Sequence, residues 1–348
     1  MLLLKYLCIM LGKVKNDYTM IQVFTTMKKR VLMAWVAACV AFGSLLAQER
    51  TVLSAQIYGY QGDMVYFDCV QTPLIAQTFY TNPGEEHVYG FECDGLVCMT
   101  INGRVSVLLQ PGDSLHLDIN YEGKNVQVEY SGTDRAVANN RLVKSMETLK
   151  RSLRYKSQLL GCVALDIKPK ARIDESRVLL ERAGMFIEKS NASIEAKNYV
   201  QATIDYDVYM SFIEYPVMYE SVRGLAVPEQ EIGDYWSIMD GYVTRTDAQS
   251  LSCPEYASLL MRYCFYMNEK AAKAKGESYV MPGVMEDMYK ELVVFYDGAQ
   301  RDYLLYTLLR NFIMNGQEIE RADVLYKEYV EKYNLNPEYK NILDMLLQ

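Results

Sequence analysis

From about residue 51 to 131, apolar residues come in short runs rich in Val, Ile, Tyr and Phe, divided by turn signals at close intervals. The signals are Gly62-Asp63, Asn82-Pro83-Gly84, Asp94-Gly95, Asn102-Gly103, Pro111-Gly112-Asp113 and Glu122-Gly123. Short strands at such spacing predict an antiparallel sandwich or barrel. Asn102-Gly103 is the strongest hairpin signal, because both residues tolerate the positive φ of a type I′ turn. It joins "LVCMTI" to "RVSVLL", and a two-residue loop would pair Ile101 with Arg104 and Cys98 with Val107.

From about residue 134 the apolar period becomes helical. Tyr256, Leu259, Leu260, Tyr263, Cys264 and Met267 recur at the spacing of one helix face. Ser252 and Glu255 read as a capping box around Pro254 in the first turn. Ile319, Ala322, Leu325, Tyr326, Tyr329, Val330 and Tyr333 make another face, which Asn334 to Pro337 break. A last helix follows through Tyr339, Ile342, Leu343 and Leu346. Seven to nine helices are expected, too irregularly spaced for a named repeat. The fold class read from these rhythms is α+β: a β-rich sandwich or barrel-like domain over residues 48–133, then an all-α domain over 134–348.

The N-terminus predicts a compartment. In "MKKRVLMAWVAACVAFGSLLAQER", Lys28, Lys29 and Arg30 precede an apolar run from Val31 to Leu46, with cleavage expected between Ala47 and Gln48. That is the layout of a secretory signal peptide, and the run is short for a membrane span of roughly 20 residues. An uncleaved anchor, or a lipid on Cys39 of "VAAC", are the alternatives. The residues before Met27 fit no secretory pattern, and Met27 is read as the true start. Residues 1–47 are therefore expected to be a leader outside the fold.

Composition sharpens this picture. Removing 1–47, which hold six of the 36 basic residues and one of the 44 acidic ones, takes the net charge from −8 to −13. No basic cluster is read outside the N-terminus, so nucleic acid is not an expected partner. The 29 Tyr against 10 Phe and 2 Trp suit half-buried surfaces, since Tyr carries an apolar ring and a wet hydroxyl. "IEYPVMYESV" and "MRYCFYM" read as core packing, or else as an aromatic groove for a peptide or glycan.

"VSVLLQPGDSLHLDI" followed by "VEYSGTDRAVANNRLVKSM" resembles the N-terminal region of exported TlpA-like thiol–disulfide oxidoreductases of Gram-negative bacteria. Pro111, Gly112 and Asp113 match that family's turn before a strand. Ser131, Gly132 and Asn139 or Asn140 match its junction into a helical region. The resemblance implies a β-rich accessory domain, a helical region and then a thioredoxin domain. This chain departs from the pattern, for it contains no Cys-x-x-Cys and ends where the thioredoxin domain would begin. It is expected to be either a stand-alone version of the accessory region or a truncated one.

Little else points to chemistry. His87 and His116 are the two histidines, and neither has a ligand-like partner set. His116 and Asp118 alternate on one strand face and predict an exposed contact, not a dyad. Gly-x-Ser-x-Gly and phosphate-binding glycine patterns are missing. Asp205 and Asp207 read as solvated helix residues, and Asn191-Ala192-Ser193 as a chance glycosylation match. No catalytic, cofactor-binding or metal-ligating residue is assigned and no cofactor is expected.

Cys93 and Cys98 flank Asp94-Gly95. The strand arithmetic points both sulfurs into the β-domain's core, where a hairpin could hold them opposite each other as a structural disulfide. The expectation is an exported, non-catalytic protein of the periplasm or cell envelope that binds a protein, peptide or glycan. A fragment or partner of a thiol–disulfide oxidoreductase system is the rival.

Overall fold

A computed structural model of the chain describes residues 50–82, 84–123, 125–157, 160–233 and 238–348. The leader, with Cys39 and the expected Ala47–Gln48 cleavage point, lies outside the described residues.

Strands form where apolar residues alternate. In β7 (Ser114–Glu122), Leu115, Leu117, Ile119 and Tyr121 are buried, and the residues between them face outward. The other strands are β1 (Thr51–Tyr58), β2 (Met64–Cys69), β3 (Ala76–Tyr80), β4 (Glu86–Phe91), β5 (Val97–Ile101), β6 (Val105–Leu109) and β8 (Asn125–Gly132). They make two four-stranded sheets, ordered β4-β1-β7-β8 and β3-β2-β5-β6. Neighbours run antiparallel, except that β1 and β7 run parallel. Leu53, Ala55, Phe67, Met99, Val107 and Leu117 belong to the sandwich core.

The hairpin at Asn102-Gly103 departs from the expected register. Asn102 and Gly103 do take positive φ, 52° and 62°. Arg104 also belongs to the loop, however, and its N–H donates to the Ile101 carbonyl. Three loop residues pair Ile101 with Val105 and Cys98 with Leu108. A one-residue slip exchanges the two faces of a strand. Cys98 therefore turns away from the sandwich interior.

The chain changes to helix after Thr133. The longer helices among the described residues are α1 (Asp134–Ser152), α3 (Pro169–Lys189), α4 (Ile194–Arg223), α6 (Pro254–Ala274), α7 (Met285–Phe295), α8 (Gly298–Met314), α9 (Ile319–Lys332) and α10 (Pro337–Leu346). Two four-residue helices, α2 (Leu160–Val163) and α5 (Ala248–Leu251), lie between them. The class is α+β.

Helix ends follow local chemistry. Ser193 accepts from the Ala196 N–H at the start of α4, and Gly224 closes that helix in the left-handed region. The expected capping box does not form at α6. Ser252 closes α5, and Cys253 stands at the N-cap without a side-chain cap bond. Pro254 fixes the first turn, where its missing N–H costs nothing.

The helical core takes in Cys98 and Leu108 from the second sheet, and Leu96 just before β5. The β5–β6 face turned away from the sandwich is thus covered by helices. Burying a side chain such as Leu108 there contributes about 1.5–3 kcal/mol. This seam between sheet and helices holds a cavity.

Candidate functional site

A cavity of about 600 Å3 opens between the β5–β6 face and the helices. α1 lines it with Val143, Met146, Glu147 and Lys150, and α4 with Tyr199, Thr203, Tyr206 and Asp207. Both sets recur at three- and four-residue spacing, so each helix offers one face. Cys98, Ser106 and Leu108 come from the sheet, Lys156 and Cys162 from the segment after α1, and Glu255 from α6. A cavity of this size with an apolar body and a few convergent polar groups is the ordinary form of a small-ligand site.

Its charged groups are arranged in depth. The Lys150 ammonium lies 2.9 Å from the Asp207 carboxylate, which is buried while Lys150 is half-buried. Burial pushes the Glu147 carboxyl upward, against the pull of Lys150, Arg151 and Lys144. Asp207 was expected in solvent, as was Asp205. Both are buried, because α4 is covered on several sides, and each has a cation: Lys150 for Asp207 and Arg245, at 2.6 Å, for Asp205.

A second layer holds the wall. Arg172 is 1% exposed, and its guanidinium stacks 3.8 Å over the Tyr155 ring. It donates to Ser211 and to the Lys156 carbonyl. The Tyr155 hydroxyl meets Ser176, Ser211 and the Asp207 carbonyl. Arg172 thus ties the Lys156 segment to α4, and sequence periodicity carried no signal for it. The sign that could have been read is an Arg at an apolar-phase position of α3, near Ile173 and Ser176.

The buried thiols are unsuited to nucleophilic work. Burial raises Cys98 to about 12, and its neighbour Tyr199, which hydrogen-bonds with it, is pushed well above its ordinary value. Cys253 is also raised by burial, and its Sγ lies 3.3 Å from Glu255 Oε2. Cys93 sits in the sandwich core, raised chiefly by burial, 3.5 Å from Thr51 Oγ1. Cys93 and Cys98 belong to different cores and are not bonded to each other. The expected disulfide is therefore absent, and the cause is the three-residue hairpin loop.

No histidine lines the cavity. His116 Nδ1 lies 2.8 Å from Ser54 Oγ and 2.9 Å from Glu86 Oε1, and Nε2 lies 3.7 Å from Asp118. Serine and glutamate share one nitrogen, so the ring cannot pass a proton from one to the other as a relay requires. Among the described residues no group of three or more His, Cys, Asp and Glu is placed to hold a metal ion.

Pro111, Gly112 and Asp113 form a turn with Gly112 at φ 77°. Asp113 accepts from the Gln110 N–H and from Arg135 of α1, both at 2.8 Å. Asn139 and Asn140 reach the same region, to Gln110 and Leu108 respectively. The turn and the junction therefore form one contact region beside the cavity's sheet wall. No protein family, curated protein or solved structure matches the chain.

Proposed function

We propose that this chain is an exported, non-catalytic protein of the periplasm or cell envelope, acting as a binding or accessory module. The observation that carries the reading is the cavity at the sheet–helix seam. It combines tyrosines, aliphatic side chains and a Lys150–Asp207 pair, while its buried thiol is held protonated. Such a lining binds and orients, since it offers hydrogen bonds and apolar contact without an activated nucleophile or a base beside one. The apolar run after Lys28, Lys29 and Arg30 supports export.

The rival is a fragment or partner of a thiol–disulfide system. Low-pKa, accessible thiols favour that chemistry, and Cys93 and Cys98 have neither property. The test is expression of the whole chain in a Gram-negative host with three readouts. The expected outcome is periplasmic protein beginning at Gln48, no insulin reduction, and an envelope partner recovered with wild type but lost with Thr203→Trp, which plugs the cavity. Insulin turnover that disappears in Cys93→Ser or Cys98→Ser would overturn the reading, as would retention in the cytoplasm.

A further inference from the structure

A second groove, of about 580 Å3, runs between α1 and α3 on a different face of α1. Its charged lining is Arg141, Lys144 and Arg182, and no acidic side chain lines it. Lys144 is engaged: its ammonium donates to the Val128 carbonyl and lies 5.5 Å from the Tyr130 ring centroid. Arg141 and Arg182 are exposed and form no ion pair among the described residues. Phe186, half exposed at 49%, forms the apolar part of the same lining.

This arrangement runs against the character of the chain. The protein is acidic overall, yet Arg141 to Lys156 hold six basic residues (Arg141, Lys144, Lys150, Arg151, Arg154, Lys156) and one acid, Glu147. This stretch is a basic cluster beyond the N-terminus, contrary to expectation, and whole-chain charge averages it away. Glu147 and Lys150 turn to the cavity instead, which leaves the groove itself uniformly cationic. Like charges converging on a concave surface repel, and an anionic occupant removes that cost.

We propose that the α1–α3 groove is a docking site for a short acidic segment of a partner protein. Its carboxylates meet Arg141 and Arg182, and an apolar side chain covers Phe186. Arginine suits this role because its guanidinium engages a carboxylate through two parallel hydrogen bonds. The concave shape favours a polypeptide segment over a membrane, which needs a projecting surface. The acidic remainder of the chain disfavours a nucleic-acid polymer, which would extend past the groove.

The test uses the whole chain and a fluorescein-labelled peptide of alternating Asp, Glu and Leu, with an Asn/Gln/Leu peptide of the same length as control. Anisotropy is expected to rise with the acidic peptide only and to weaken with added salt. Arg141→Glu/Arg182→Glu is expected to bind at least about tenfold more weakly. Thr203→Trp, in the other cavity, is expected to bind as wild type does. Circular dichroism of the double variant should be unchanged, since both side chains are exposed. The proposal fails if both peptides bind equally, if the double variant binds like wild type, or if affinity is weaker than about 1 mM. It also fails if phosphatidylglycerol vesicles or a single-stranded oligonucleotide bind through Arg141 and Arg182 more tightly than the peptide.

Discussion

The carboxamide of Asn140 exchanges two hydrogen bonds with the backbone of Leu108. Its Oδ1 accepts from the Leu108 N–H at 2.8 Å, and its Nδ2 donates to the Leu108 carbonyl at 2.9 Å. Leu108 lies on β6, an edge strand of its sheet. A buried edge must find partners for its backbone groups, and here one side chain stands in for a neighbouring strand. Nδ2 also donates to the Ala136 carbonyl one turn earlier, so the side chain is fully committed.

Replacing Asn140 by Leu should therefore leave both Leu108 groups unsatisfied in the interior. Each such group costs about 1–3 kcal/mol, so the expected loss by urea denaturation is about 2–6 kcal/mol. Asn140→Asp should cost as much, since it loses the donor and buries a charge. A loss under about 1 kcal/mol would show that β6 does not depend on this carboxamide.

Asp113 makes a comparable link between the Pro111–Asp113 turn and α1. It is 1% exposed, while Arg135 opposite is 45% exposed on its side chain. The solvated partner weakens the pair, and the bond to the Gln110 N–H matters more. Asp113→Ala should cost about 2 kcal/mol, whereas Asp113→Asn, which keeps an acceptor for Gln110, should cost about half that. Arg135→Ala should cost about 1 kcal/mol or less. Equal losses for Asp113→Ala and Arg135→Ala would overturn this ordering.

The change from strand to helix was legible because period-two and helical patterns do not overlap near Thr133. The final two helices were legible for the same reason, with Asn334 to Pro337 between them. The facing of Cys98 was not, because it hung on whether Arg104 belongs to the strand or the loop. Nothing in "INGRV" decides that without the opposing strand. The burial of Asp205 and Asp207 was hidden for a different reason: their cations, Arg245 and Lys150, are distant in sequence. The cavity likewise draws on segments from Cys98 to Glu255, and no local motif encodes it.

Gly132 is irreplaceable on steric grounds. Its φ is 139°, and a Cβ there would stand 2.1 Å from the backbone oxygen of Ser114 on the paired strand. Gly84 also has positive φ, 78°, but a Cβ there meets nothing within 4 Å. Gly84→Ala should cost about 1 kcal/mol from the backbone alone. Gly132→Ala should cost about 3 kcal/mol or more, because strands β7 and β8 must separate. Comparable melting shifts for the two variants would contradict this.

The Lys150–Asp207 pair predicts an asymmetry. Lys150 can turn to water when its partner is lost, but Asp207 cannot. Lys150→Met should therefore cost about 3 kcal/mol, as expected when a buried charge is left alone. Asp207→Asn should cost about 1 kcal/mol. Chemical denaturation of both variants and the double variant measures the coupling. Asp207→Asn being the more damaging would place the burden on Lys150 instead.

The buried thiols make stability depend on alkaline pH. Burial raises Cys98 and Cys264 from 9.0 to about 12 in the folded chain. Below pH 9 both folded and unfolded thiols carry their protons, and the full stability is present. As pH rises from 9 toward 12 the unfolded thiols ionise first, so the folded state progressively loses stability. The loss is roughly 4 kcal/mol per thiol across that span. Buried tyrosines such as Tyr306, raised to about 12 by burial, add to the same slope. The difference between wild type and Cys98→Ala/Cys264→Ala isolates the thiols: the variant's stability should fall less steeply above pH 9. Thiol labelling at pH 8 gives an independent check, because of the six cysteines from Cys69 onward only Cys162 is exposed. Cys162 should react at once and the other five only on unfolding. Rapid labelling of Cys98 in the folded protein, or parallel pH profiles for wild type and variant, would refute burial as the cause.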